Sequence, residues 1–121
     1  KNRKEWAELF FEKDFSTPLG KEKAGMFEKC FDMIRIAPSA SNKQPWRIIK
    51  DGNNYHFFVC RTPGYGKIMS FDIQKLDVGI AMCHFEIALY ELGGFGNWSD
   101  LNPNVACGKN IEYIISYTAN A

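Results

Sequence analysis

Ala37-Pro38-Ser39-Ala40-Ser41-Asn42-Lys43-Gln44-Pro45-Trp46 is the stretch on which the fold of this chain turns. Ala37-Pro38 closes a helix, because the residue before a proline avoids the helical region. Trp46-Arg47-Ile48-Ile49-Lys50 opens a strand. Between them, residues 38–45 form a loop crowded with hydrogen-bonding side chains: Ser39, Ser41, Asn42 and Gln44. Asn and Gln each carry donors and an acceptor, a combination that suits the edge of a planar heterocycle mixing N–H and C=O groups. The same residues also read as an ordinary polar loop whose side chains satisfy their own backbone.

Working outward, helix and strand alternate. Upstream, Met26, Phe27, Cys30, Phe31 and Ile34 recur at three- and four-residue steps and predict a helix over 21–36. Ser16-Thr17-Pro18-Leu19-Gly20 is a break. Trp6, Leu9, Phe10 and Lys13 predict a short amphipathic helix over 4–13. Downstream, Tyr55-His56-Phe57-Phe58-Val59-Cys60 is a second strand. Asp51-Gly52-Asn53-Asn54 joins it to the first as a hairpin. Thr62–Gly66 is a further loop. Residues 72–92 form the longest helix, with Val78, Ile80, Ala81, Met82, Cys83, Phe85, Ile87, Ala88, Leu89 and Leu92 around most of its circumference. A helix this apolar is buried on most sides, and one small domain can hardly wrap it, so a second chain or domain is expected to cover part of it. Gly93-Gly94 stops it. Residues 111–118 alternate loosely and predict a last strand.

Composition bounds the answer. At 121 residues the chain has the length of one domain. Hydrophobic residues make up 45%, which excludes disorder as its overall state. Lys and Arg number 15 against 14 Asp and Glu, so no cationic surplus exists to drive nucleic-acid binding. No apolar run reaches the roughly 20 residues of a membrane span. Aromatics are abundant, with 10 Phe, 5 Tyr and 3 Trp, which reads either as a Phe-rich core or as ring surface serving a partner or a flat ligand. Cys30, Cys60, Cys83 and Cys107 are too widely spaced for a zinc site, and are expected to be reduced thiols of a cytoplasmic protein. No signal peptide opens the chain, and the missing initiating Met is expected to mean either a removed N-terminus or a piece of something longer.

The loop resembles the Pro-Ser-x-x-Asn-x-Gln-Pro-Trp signature of the nitroreductase family of flavin enzymes. More narrowly, the chain resembles the C-terminal half of its two-repeat branch. The likeness continues through Leu9-Phe10-Phe11, His56-Phe57-Phe58 and Asp77-Val78-Gly79-Ile80-Ala81-Met82-Cys83-His84-Phe85-Glu86. It closes at Leu92-Gly93-Gly94-Phe95-Gly96-Asn97-Trp98 and covers about residues 2–98. The resemblance implies an α+β nitroreductase-like half: an antiparallel-rich sheet packed with a long central helix. Residues 1–121 would be a single domain, the second repeat of a longer protein, mimicking the homodimer that ordinary nitroreductases form.

The resemblance also implies FMN at the interface between two such units, NAD(P)H as electron donor, and a nitro-aromatic or quinone acceptor. Matching positions assign Pro38, Ser39, Ala40, Ser41 and Asn42 to cofactor contact, with Gln44, Pro45 and Trp46 fixing the loop. No catalytic acid, base or nucleophile and no metal is required. The partner would be the missing N-terminal repeat or a second copy; neither a membrane nor nucleic acid is expected. A second reading is a structural half that offers one wall of the flavin site and is flavin-free and inactive alone. The family's phosphate anchor, Arg-x-Ser-x-Arg, is absent: Asn2-Arg3-Lys4-Glu5-Trp6 stands in its place, and Arg3-Lys4 reads as a solvated terminus. Gly94–Trp98 matches a family stretch near the flavin, but in a second repeat it can face an unused position. His84, two residues from Glu86, is expected to be a hydrogen-bonded core or interface residue. His56 is expected on the outer face of a half-covered sheet.

Overall fold

The computed structural model describes residues 2–66 and 70–120. Lys1 lies outside them. A five-stranded sheet in the order β1-β2-β3-β5-β4 is built from β1 (Phe10–Glu12), β2 (Trp46–Asp51), β3 (Asn54–Cys60), β4 (Gly96–Ser99) and β5 (Ile111–Ala119). Among the described residues only the β1–β2 pairing is parallel; the other pairings are antiparallel. The helices are α1 (Trp6–Leu9), α2 (Lys21–Ala24), α3 (Glu28–Arg35) and α4 (Ile73–Glu91). This is the α+β arrangement expected, with an antiparallel-rich sheet and one long helix.

α4 lies on the sheet through Val78, Ala81, Phe85 and Leu89, all fully buried. Phe85 is the hub of the core. Its ring centroid lies 5.4 Å from Tyr55 and Phe57, 5.3 Å from Tyr117 and 5.8 Å from Phe31. Truncating such a buried ring to Ala costs about 3–5 kcal/mol. Most of the aromatic surplus therefore belongs to the core. On the opposite side of the same helix, Leu76, Ile87 and Tyr90 are 58%, 55% and 77% exposed. The apolar circumference read from the sequence thus divides into a packed face and an uncovered one.

Three expectations are corrected. The helix predicted over 4–13 ends at Leu9, and Phe10–Glu12 continues as β1 against β2. Period two then wins over period 3.6. Phe10 enters the core beside Trp6 and Phe31, while Phe11 packs against Phe15 on the other face. The helix over 21–36 is broken at Gly25, whose φ of +59° suits glycine. A 3-10 turn over Gly25–Phe27 leads into α3, which still buries Cys30, Phe31 and Ile34 as its stripe requires. His56 is buried rather than lying on an open face. The second face of the sheet is covered by aromatics, with Phe15 at 4.8 Å from Phe58 and Phe58 at 5.6 Å from Tyr113. Beneath that cover His56 Nδ1 meets Ser116 Oγ at 2.6 Å, and Ser116 Oγ meets the Tyr113 hydroxyl at 2.7 Å. Burial holds the His56 imidazole below its ordinary pKa of 6.5, against a weaker upward pull from Asp51.

The strand β4 was not anticipated. Its Gly96 is obligatory by contact rather than by φ. A Cβ there would fall on the Thr118 carbonyl oxygen and the Tyr117 ring of β5. Trp98 packs 4.7 Å from Tyr117 and donates its indole N–H to Glu86 Oε1 at 3.1 Å. Packing of the sheet edge therefore accounts for the Gly96-Asn97-Trp98 pattern.

Candidate functional site

The loop between α3 and β2 holds an unusual backbone. Ser41, Asn42 and Gln44 have φ of +52°, +53° and +48°. Left-handed backbone costs non-glycine residues about 1–2 kcal/mol each, with Asn the most tolerant. Three such residues within four positions need support from outside the loop.

That support comes from three directions. From α4, Asp77 Oδ2 accepts the Ala40 N–H at 3.0 Å. Asp77 is buried, and burial raises its pKa above 3.8 while the Ala40 bond pulls it down. From the 62–66 turn, Tyr65 donates its hydroxyl to Ser41 Oγ at 2.8 Å, and Lys43 Nζ sits 5.1 Å from the Tyr65 ring centroid. From the N-terminal side, residues 2–4 lie along the loop. Asn42 donates to the Asn2 carbonyl at 2.7 Å and accepts from Arg3 Nη1 at 3.1 Å. Gln44 accepts the Lys4 N–H at 2.7 Å and donates to the Asn42 carbonyl at 3.0 Å. Within the loop, Ser39 Oγ accepts the Gln44 N–H at 2.9 Å.

The expectation of a solvated Arg3-Lys4 is therefore corrected. Arg3 Nη2 also reaches the Ile36 carbonyl at the end of α3 (3.3 Å), and Arg35 Nε donates to the Lys4 carbonyl at 2.7 Å. Cations suit the carbonyl end of a helix. Arg47 caps the other end of the loop, with Nη1 donating to the Gln44 and Trp46 carbonyls.

The five residues assigned by resemblance thus fall into two groups. Pro38 and Ser41 are exposed, with Ser39 and Ala40 partly so, and they form an uncharged outward edge. Asn42 is half-buried, and its amide is engaged at both ends by the chain's own N-terminal segment. Gln44 and Trp46 are buried and hold the loop's base, as expected. The outward edge fits the rim of a flat ring. The Arg3 guanidinium is engaged with Asn42 and Ile36, so the phosphate of such a ligand finds no disengaged arginine there. Asp77 and Tyr65 were not named from sequence as parts of the site. The signal for Asp77 was an acid one position before Val78 on the apolar stripe of α4, since buried carboxylates need partners.

Beside the loop's helix, α3 and α4 enclose an apolar groove of about 530 Å³. Met33, Cys83, Ile87 and Leu92 line it, with Lys29 and Glu91 at its rim. His84 also lines the groove, and its Nδ1 meets the Ile80 carbonyl at 2.9 Å. All four cysteines are free thiols, with Cys83 and Cys107 exposed. Among the described residues no group of three or more His, Cys, Asp or Glu is placed to hold a metal. None of their helices is long and apolar enough to cross a membrane.

Residues 11–89 match a family model described as Putative TM nitroreductase. No curated protein matches the chain. Among solved structures, a putative nitroreductase from Thermotoga maritima MSB8 superposes with a TM-score of 0.61 at 18% identity. That likeness takes in 100% of this chain but 43% of the Thermotoga chain. A nitroreductase family protein from Clostridium novyi NT superposes with a TM-score of 0.64 at 16% identity, over 97% of this chain and 81% of that one.

Proposed function

This chain belongs to the nitroreductase family, and from that premise we propose that it forms half of an FMN-dependent oxidoreductase taking electrons from NAD(P)H. The acceptor class is nitro-aromatic or quinone-type compounds. The observation that carries the reading is the family's loop held rigid in a left-handed conformation, with Pro38–Ser41 facing outward.

FMN, when bound, supplies the hydride chemistry. This chain's residues supply position. Pro38, Ser39, Ala40 and Ser41 form a wall against the ring, and Asn42 closes it. Rigidity matters because a wall already shaped loses little freedom on binding. No side chain of the loop is asked to move a proton.

The cofactor would lie between this unit and a second one, either an upstream repeat or another copy. Two observations support that. The chain spans 43% of the Thermotoga protein's length. One long face of α4, with Leu76, Ile87 and Tyr90, is apolar and uncovered. The same observations favour the second reading, a half that binds no flavin alone. Free thiols suit a reducing, cytoplasmic setting.

Titrating the purified chain with FMN while following flavin fluorescence and sedimentation separates the two. A yellow, self-associated complex supports a competent flavoprotein. A colourless protein that leaves the fluorescence of added FMN unquenched rejects that reading for this chain and leaves the structural half.

A further inference from the structure

We propose that Asn2-Arg3-Lys4 is a strap that sets the conformation of the 38–44 loop, and that Asn42 and Gln44 are positioning residues reading that strap. This deepens the proposed function and rests on it only for what the loop faces.

The contacts are directional. Both ends of the Asn42 amide are engaged by residues 2 and 3, forty and thirty-nine positions away in sequence. Gln44, only 4% exposed, joins the strap to the loop by accepting from Lys4 and donating to the Asn42 carbonyl. Two of the three left-handed residues are thus the two that grip the strap. The strap is itself pinned to α3 by a reciprocal pair, Arg3 to the Ile36 carbonyl and Arg35 to the Lys4 carbonyl.

The opposite side of the loop is fixed differently. Asp77 holds Ala40 from within α4, a long helix packed on the sheet. Asp77 is therefore a standing anchor. The strap, by contrast, belongs to no helix or strand, and its Arg3 leaves a buried Nε without a partner among the described residues. It is the releasable side of the clamp. Movement of residues 2–4 would be felt first at Asn42 and Gln44, then at Ser41 and the outward edge. The segment that leads into this unit would thereby set the shape of the wall offered to a ligand.

The test is amide hydrogen exchange on the full chain without flavin, comparing wild type, Arg3→Ala and Gln44→Glu. Arg3→Ala removes two donors from a half-buried position. Gln44→Glu keeps the acceptor for Lys4 but sets a carboxylate against the Asn42 carbonyl. The strap predicts exchange faster by roughly tenfold at Asn42, Lys43 and Gln44, with Ile48 and Phe57 unchanged. Asn42→Asp, which keeps the acceptor for Arg3 but sets a carboxylate oxygen against the Asn2 carbonyl, should also speed exchange at these amides. Loop amides unchanged in both Arg3→Ala and Gln44→Glu would overturn the strap. FMN affinity is measured separately on the same variants. Faster loop exchange with no FMN binding by any form, wild type included, keeps the strap and counts against the flavin reading. FMN binding with an unresponsive loop does the reverse.

Discussion

The hairpin turn at 51–54 and the loop at 38–44 both require left-handed backbone, and they obtain it in opposite ways. The hairpin places Gly52 at φ +62°, with open space where a Cβ would be. Of its two central residues only the first is left-handed, which suits glycine in that position. The strands on either side pair in register from Asp51↔Asn54 to Trp46↔Val59. Everything the turn needs lies within a few residues. The loop instead forces Ser, Asn and Gln into the same region and holds them with partners 24 to 42 residues away. A conformation written locally is cheap and inert. One imposed by distant contacts is dearer, and it responds to whatever moves those contacts.

Breaking the tertiary support should have the largest effect. Gln44→Ala strands a half-buried Lys4 N–H and removes the tie to Asn42, at a cost of about 1–3 kcal/mol in urea denaturation. A loss no larger than that of an average surface substitution would erase the contrast. Gly52→Ala is next, at about 1 kcal/mol, because the Cβ has room and only the backbone conformation is penalised. Exchange rates of the 38–44 amides should not change in that variant.

Asp77→Asn sharpens the comparison through pH. The folded-state pKa of Asp77 is raised, so the folded chain binds more protons than the unfolded one just above pH 3.8. Stability from this group is lost as pH rises from 3.8 through the folded value. Asn keeps an acceptor for Ala40, so the variant should lose that slope and be no less stable than wild type at pH 7. His56 runs the other way, since its folded pKa is lowered. Its contribution is intact above pH 6.5 and lost as pH falls below it, giving a second window for melting curves. The smallest effect is expected for Ser41→Gly, within about 1 kcal/mol. Relief of the left-handed strain is offset by the freedom glycine adds to the unfolded chain.

The same contrast explains what could be read beforehand. The hairpin, α4 and β5 were legible because their signals are short-range: turn chemistry, periodicity, a glycine stop. The loop's residues were legible as a motif, but its shape was not, since Asp77, Tyr65 and Arg3 enter from elsewhere. Phe10–Glu12 was misread because its helical spacing yields to pairing with β2, an interaction across about 38 positions. Gly25 carried a visible warning of the break between α2 and α3. β4 is four residues long and gains its identity only from β5.

The place of β5 has a consequence for how the chain comes into being. It is the last strand in sequence, yet it sits inside the sheet between β3 and β4. During synthesis β4 would emerge with no neighbour to bond. β3 would wait with one edge bare, and Tyr117 would be missing from the rings around Phe85. A ribosome-bound chain lacking residues 111–119 would thus carry two open strand edges and an incomplete core, the state in which nascent proteins stick to one another. Closure of the sheet is therefore a late and nearly simultaneous event, in which one strand seals two edges at once.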